Sequence, residues 1–138
     1  MNREIKFRVW LKKEKLMVDV ININMEENYI IYNEPYFENT NCFAEMDKSF
    51  DDIELTQYTG LKDKNGVEIY EGDIVKDDKD RTFVIEYKFG GFNVAPVSYL
   101  NDEFSWNPLG DMQTAGWLNQ SVEVIGNIYE NKELLDYE

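Results

Sequence analysis

The side chains able to do chemistry are few, and they are mostly carboxylates. The 138-residue chain has no histidine, one cysteine (Cys42), 28 Asp and Glu, and 14 Lys and Arg. Without histidine there is no imidazole base, no histidine-based triad and no histidine metal site. Cys42 has no histidine to activate it and reads as a small core hydrophobe. Two acidic runs remain, Asp51-Asp52 with Glu54, and Asp77-Asp78 with Asp80 and Asp73 nearby. Carboxylate oxygens suit a hard cation, but the spacing is not that of a calcium-binding loop, so the runs read as solvated turns. The glycines match neither a P-loop nor a dinucleotide-binding template. The expectation is a non-enzyme with no metal and no cofactor.

The formal net charge of −14 is unevenly distributed. Residues 1–15 hold Arg3, Lys6, Arg8, Lys12, Lys13 and Lys15 against Glu4 and Glu14, a local charge of +4; the other 123 residues hold 8 basic and 26 acidic side chains, or −18. Such a charge keeps a small protein soluble and repels phosphates. Direct nucleic-acid binding is therefore not expected, and the basic N-terminal run is its one foothold. The same charge raises two further readings: attraction of a basic partner, and an acidic decoy that mimics DNA toward a host nucleic-acid-binding protein.

Aromatic residues make up 14% of the chain, enough to build a core and leave some for a surface. Tyr58, Tyr70, Tyr87, Tyr99, Trp106 and Trp117 are the aromatics weighed for a groove that takes an extended peptide. Of these Tyr58, Tyr70, Tyr99, Trp106 and Trp117 are the candidate partner-binding residues. Trp106 and Trp117 stand out because their segment has no strand periodicity.

The elements that must position these side chains are strands. Alternation marks Ile5–Trp10, Leu16–Met25, Ile53–Tyr58, Arg81–Lys88 and Phe92–Val97. A change of phase at Val20-Ile21 predicts a bulge. Tyr29–Tyr32 is a short strand, while residues 36–52 read as a loop with a short strand or helical turn at 42–47. The stretch Gln57–Val75 is punctuated by Gly60, Asn65-Gly66 and Gly72-Asp73, where reversals require positive φ. It reads as strand end, turn, a short irregular turn around Glu68–Tyr70, and a new strand. Gly90-Gly91 reads as a tight hairpin turn. A helical turn is placed near Gln113–Leu118. Ser121–Tyr129 is the last strand, with Gly126 marking a bulge or a close backbone approach. Asn131 reads as the N-cap of a short terminal helix.

Many short strands between turn signals predict an all-β, mostly antiparallel fold: an SH3-like β-barrel with an N-terminal β-hairpin extension and a short C-terminal helix. The length suits one domain, 1–138, with a barrel core at about 66–130 and the extension at 1–58. One cysteine allows no internal disulfide and suits a reducing cytoplasm. No signal peptide and no membrane-spanning run are read in the chain.

Gln57–Gly66, Glu68–Val75 and Val124–Asn131 with Leu134-Leu135 together resemble the signature of the YopX family, and Arg8-Val9-Trp10 is similar to its opening strand. Leu11, where the family often has aspartate, and Lys132, where proline often follows the asparagine, are departures. The resemblance implies a β-rich fold with an SH3-like barrel, carried by bacteriophages and prophages mostly of Gram-positive hosts. It implies no activity or catalytic residue. The combined expectation is a phage accessory protein acting as a non-catalytic interaction module. Its partner would be a host or phage protein, or a second copy of itself.

Overall fold

The computed structural model describes residues 4–35, 43–97 and 107–135. The chain divides into two compact units, Lys6–Gln57 and Met1–Ile5 with Tyr58–Glu138. All observed strand pairs are antiparallel.

The first unit is built from β1 (Phe7–Leu11), β2 (Leu16–Asn24), β3 (Tyr29–Pro35), β4 (Phe43–Ser49) and the first half of β5 (Ile53–Lys62). Its strand order is β4-β3-β2-β1-β5. Val9, Leu11, Ile30, Tyr32 and Ile53 form its buried core. The Val20-Ile21 phase change is a real register shift: Val20 pairs with Tyr32, but Asn22 pairs with Ile31. The extra residue lets Val20 and Ile23 both pack on the core from one strand. Asn24 closes the next turn by accepting the N–H groups of Glu26 and Glu27 on Oδ1. Residues 43–49 are more regular than expected, a seven-residue strand paired residue for residue with β3. Its pattern is masked because it is an edge strand, where Glu45, Asp47 and Lys48 replace alternating hydrophobics. Cys42 and the start of that expected loop lie outside the described residues.

The second unit holds the rest of β5, then β6 (Glu68–Tyr70), β7 (Asp73–Lys76), β8 (Thr82–Lys88), β9 (Gly91–Pro96), β10 (Asn107–Pro108), helix α1 (Met112–Ser121), β11 (Glu123–Asn127) and a 3₁₀ turn at Lys132–Leu135. The sheet order is β10-β9-β8-β7-β11. The doublets Ile74-Val75, Val84-Ile85 and Val94-Ala95 are buried at both positions, because the sheet is covered on both faces. Val75, Ile85 and Val94 pack with Ile69, Leu109, Leu118 and Val122. Ile74, Val84 and Val97 pack with Ile125, Ile128, Leu134 and Leu135. Among the described residues no pairing joins β10 to β11, so a closed barrel is not seen.

Four local expectations change. Glu68–Tyr70 is a short strand, pairing with β5 at Tyr58↔Tyr70 and Lys62↔Glu68. Gly60 lies inside β5, where the register shifts, and takes φ +88° for a bulge where a strand end was expected. The Thr59 hydroxyl stitches this bulge, donating to Ile69 O at 2.7 Å and accepting from Leu61 N. The hairpin turn after β8 is centred on Phe89-Gly90 (φ 57° and 80°), and Gly91 already pairs with Lys88 in the ladder. Asn93 sets that frame, donating through Nδ2 to Lys88 O and Gly91 O. Asn131 does not use its side chain as an N-cap; its Oδ1 accepts from Asn127 N across the Gly126 bulge. A Cβ on Gly126 would collide with that amide, which is why the bulge needs glycine.

Candidate functional site

Two aspartates build matching turns in the second unit. In Asp63-Lys64-Asn65-Gly66-Val67, Asp63 Oδ1 accepts from Asn65 N at 2.8 Å and Val67 N at 2.9 Å. In Asp77-Asp78-Lys79-Asp80-Arg81, Asp77 Oδ1 accepts from Lys79 N at 3.0 Å and Arg81 N at 2.9 Å. The fourth residue has positive φ in both, Gly66 at 80° and Asp80 at 60°. Each carboxylate then spends its second oxygen differently. Asp63 Oδ2 accepts from Val124 N, 61 residues along the chain. Asp77 Oδ2 accepts from Arg81 Nε at 2.8 Å and pairs with its Nη2 at 2.7 Å. Asp73 Oδ2 in turn accepts from the buried Tyr70 N. Of the carboxylates weighed for a cation, Asp73 and Asp77 are thus engaged by the chain itself, and Asp80 pairs with Lys76 at 3.2 Å. Among the described residues, no three Asp, Glu, Cys or His side chains converge on a metal position.

The Asp77 side chain is 1% exposed. Burial, the largest single influence, opposes its ionisation. The Arg81 side chain, the Arg81 and Lys79 N–H groups and the Arg81 charge together outweigh it, holding the carboxyl below the usual aspartate range. An acid with a depressed folded pKa stabilises the fold when ionised. That contribution is complete above the unfolded value of about 3.9 and is lost as pH falls through the folded value. Urea unfolding at pH 7, 5 and 3 should therefore show the wild type losing stability below about pH 4 more steeply than Asp77→Asn. Parallel profiles would remove Asp77 from the acid response.

Fixing Arg81 positions one wall of a cleft of about 250 Å³. Phe83 and Val94 from β8 and β9 line it with Trp117 from α1. The Trp117 ring meets Phe83 edge-on, with centroids 4.8 Å apart and planes at 83°. The Arg81 guanidinium carbon lies 5.8 Å from the Phe83 centroid. Asn107, Gln113 and Thr114 supply amide and hydroxyl groups to the same cleft. Asp111 starts α1 by accepting from Gln113 N and Thr114 N, and Leu118 is buried in the core. Gln113, Thr114 and Trp117 thus share a helix face at i, i+1 and i+4, the spacing that could have revealed them in the sequence.

Of the aromatic candidates, the cleft contains Trp117. Tyr58 and Tyr70 are instead a buried pair, 6% and 7% exposed, with rings 5.5 Å apart, so they serve the core. Tyr99 and Trp106 lie outside the described residues. Arg81, Asn107, Gln113 and Thr114 were not singled out in the sequence: helix spacing alone links Gln113 and Thr114 to Trp117, and no local pattern joins Arg81 and Asn107 to them across the fold.

Of the basic run, Arg8 lies in β1 and Lys12, Lys13 and Lys15 lie in the turn to β2, with acids interleaved. Lys12 Nζ lies 3.5 Å from Glu54 Oε1 and donates to Asp51 O at 3.3 Å. Glu14 hydrogen-bonds Lys48, which lowers the carboxyl pKa and raises that of the amine. Arg8 sits opposite Asp19 and Thr56 in the ladder. The hairpin therefore presents a mixed-charge surface.

Family membership is decided by the extent of the match: residues 6–136 fit the YopX protein family. The chain belongs to the YopX family. It is 39% identical over 74 residues to the SPbeta prophage-derived uncharacterized protein YopX of Bacillus subtilis (strain 168). That match spans 49% of this chain and 50% of the Bacillus protein, so the chain spans about half the length of the curated relative it matches. The crystal structure of protein EF1440 from Enterococcus faecalis is similar along the whole chain. The TM-score is 0.65 at 27% identity, covering 98% of this chain and 100% of the other. The YopX fold is thus all-β and mostly antiparallel, with one α-helix among the described residues. No described helix is long and apolar enough to cross a membrane.

Proposed function

We propose that this YopX-family protein is a non-catalytic interaction module, encoded by a phage or prophage and acting in the bacterial cytoplasm. It takes an extended segment of a host or phage protein in the Trp117 cleft. One observation carries the reading: an aromatic floor, Trp117 on Phe83, meets a rim of Asn107, Gln113 and Thr114. An extended peptide needs these two features, apolar area for a side chain and amide or hydroxyl partners for its main chain. The chain's successive hairpins β7–β8–β9 and the return strand β11 are also the strands from which an SH3-like barrel would be drawn, and such barrels recognise peptides on aromatic surfaces.

The test compares the wild type with Trp117→Ala. Tagged protein is used to capture partners from nuclease-treated host lysate, and each captured protein is purified and titrated directly. A half-buried aromatic anchor should cost at least about 2 kcal/mol, roughly 30-fold in affinity, while unfolding stays cooperative. A partner bound equally by folded wild type and Trp117→Ala would overturn the cleft reading.

A further inference from the structure

The second unit has another recess, of about 200 Å³, where the Glu71-Gly72 turn passes β8 and the residues after β11. Glu71, Ile85, Glu86, Tyr87, Ile128 and Tyr129 line it. Gly72 brings these walls together. Its N–H donates to Ile85 O at 2.7 Å, its carbonyl accepts from Ile128 N at 2.9 Å, and its bare Cα lets Tyr129 approach. We infer that this recess receives the guanidinium of an arginine side chain from a basic segment of a partner protein.

Three features select that ligand. The first is an under-compensated carboxylate. The Glu86 side chain is 26% exposed, and its ion pair with Lys88 spans 3.8 Å, the outer limit of a direct contact. Burial raises the pKa of this carboxyl, against an opposing effect of Lys88. An incoming cation restores what the carboxylate lost in leaving water. The second is the tyrosine surface that Tyr129 and Tyr87 contribute to the lining. Tyr87 is 55% exposed and already packs edge-on against Phe92, which holds its ring in place. A planar guanidinium stacks on such rings and forks to a carboxylate, whereas an ammonium does neither as well. A hard metal ion would need converging oxygens in place of a lining rich in tyrosine and isoleucine. The third is the chain's charge of −14, which draws a basic partner in and speeds the encounter. The inference concerns a different set of residues from the Trp117 cleft and stands or falls separately from it.

The experiment titrates ¹⁵N-labelled full chain with the peptide acetyl-Gly-Arg-Gly-amide and with its citrulline counterpart, which keeps the shape and loses the charge, in 0.15 M salt. The arginine peptide should give saturable shifts concentrated at the amides of Gly72, Glu86, Tyr87 and Tyr129. The citrulline peptide should not. Glu86→Gln should weaken arginine binding at least tenfold and leave the protein no less stable, since it removes a poorly solvated charge. Tyr87→Leu, at a half-exposed position, is the second variant and should weaken binding several-fold. The inference is overturned if the shifts scatter over the acidic surface, if citrulline binds as well as arginine, or if both folded variants bind undiminished.

Discussion

Replacing Asp63 by alanine should lower the unfolding free energy by about 3–5 kcal/mol, the largest effect expected of any single carboxylate in the chain. Asp63 is 4% exposed and accepts three main-chain N–H groups, those of Asn65, Val67 and Val124. Alanine leaves all three donors without that acceptor, and each unsatisfied buried donor costs about 1–3 kcal/mol. The upper end of the sum is not reached, because the Asn65-Gly66 turn is near the surface and water can serve part of it. The structural consequence is wider than a turn. Asp63 is where the turn before β6 grips the start of β11, helped by Lys64 N donating to Val122 O. Asp63→Asn makes the stricter test. It keeps one carbonyl oxygen for Asn65 and Val67 but turns an amide NH₂ toward Val124 N, so it should cost less than alanine but still about 1–3 kcal/mol. Urea unfolding followed by tryptophan fluorescence measures both. A loss under about 1 kcal/mol for the alanine variant would show that the Val124 contact carries little of the fold.

Gly72→Val should destabilise the second unit by roughly 2–3 kcal/mol, through two separable costs. The first is conformational: Gly72 has φ +87°, which a β-branched residue adopts only under strain. The second is space, since a Cβ there would stand 3.2 Å from Tyr129 Cε2 and 3.6 Å from Ile128 Cγ1. Gly66 separates the two costs. It has φ +80° with nothing within 4 Å of its Cβ position, so Gly66→Val carries the strain without the crowding. Thermal melts should rank wild type above Gly66→Val and Gly66→Val above Gly72→Val. Equal melts for the two variants would mean that Tyr129 yields freely. An unchanged melt for Gly72→Val would contradict the positive φ itself.

Local chemistry was legible wherever the cause lies within a few residues. The φ demands of Gly60, Gly66 and Gly72 follow from residue type, and all three are positive. The bulges at Val20 and Gly126 show as a broken alternation and a glycine in a strand, and both are register shifts. The all-β class and the YopX family are likewise properties of short patterns and their order. The sequence misled where two structures share one local signal. Phe89-Gly90-Gly91 allows two turn frames, and only the Asn93 side chain, bonding back to Lys88 and Gly91, selects the first. The edge strands β4 and β6 gain their hydrogen bonds from β3 and β5, which no periodicity within them announces.

The sequence by itself determined where the chain turns, which runs extend, and that the chemistry lacks imidazole; each depends on side-chain type and near neighbours. Only the tertiary structure decided which aromatics are buried and which carboxylates are spent. Tyr58 and Tyr70 stand beside Trp117 among the partner-binding candidates, but strand pairing places the first two against each other, while α1 carries Trp117 to a cleft. Asp77 reads as part of a solvated turn and nothing in the sequence singles out Asp63, yet Asp63 reaches Val124 and Asp77 holds Arg81. A carboxylate's role is set by the donors that surround it, and the fold brings some of those donors from far along the chain.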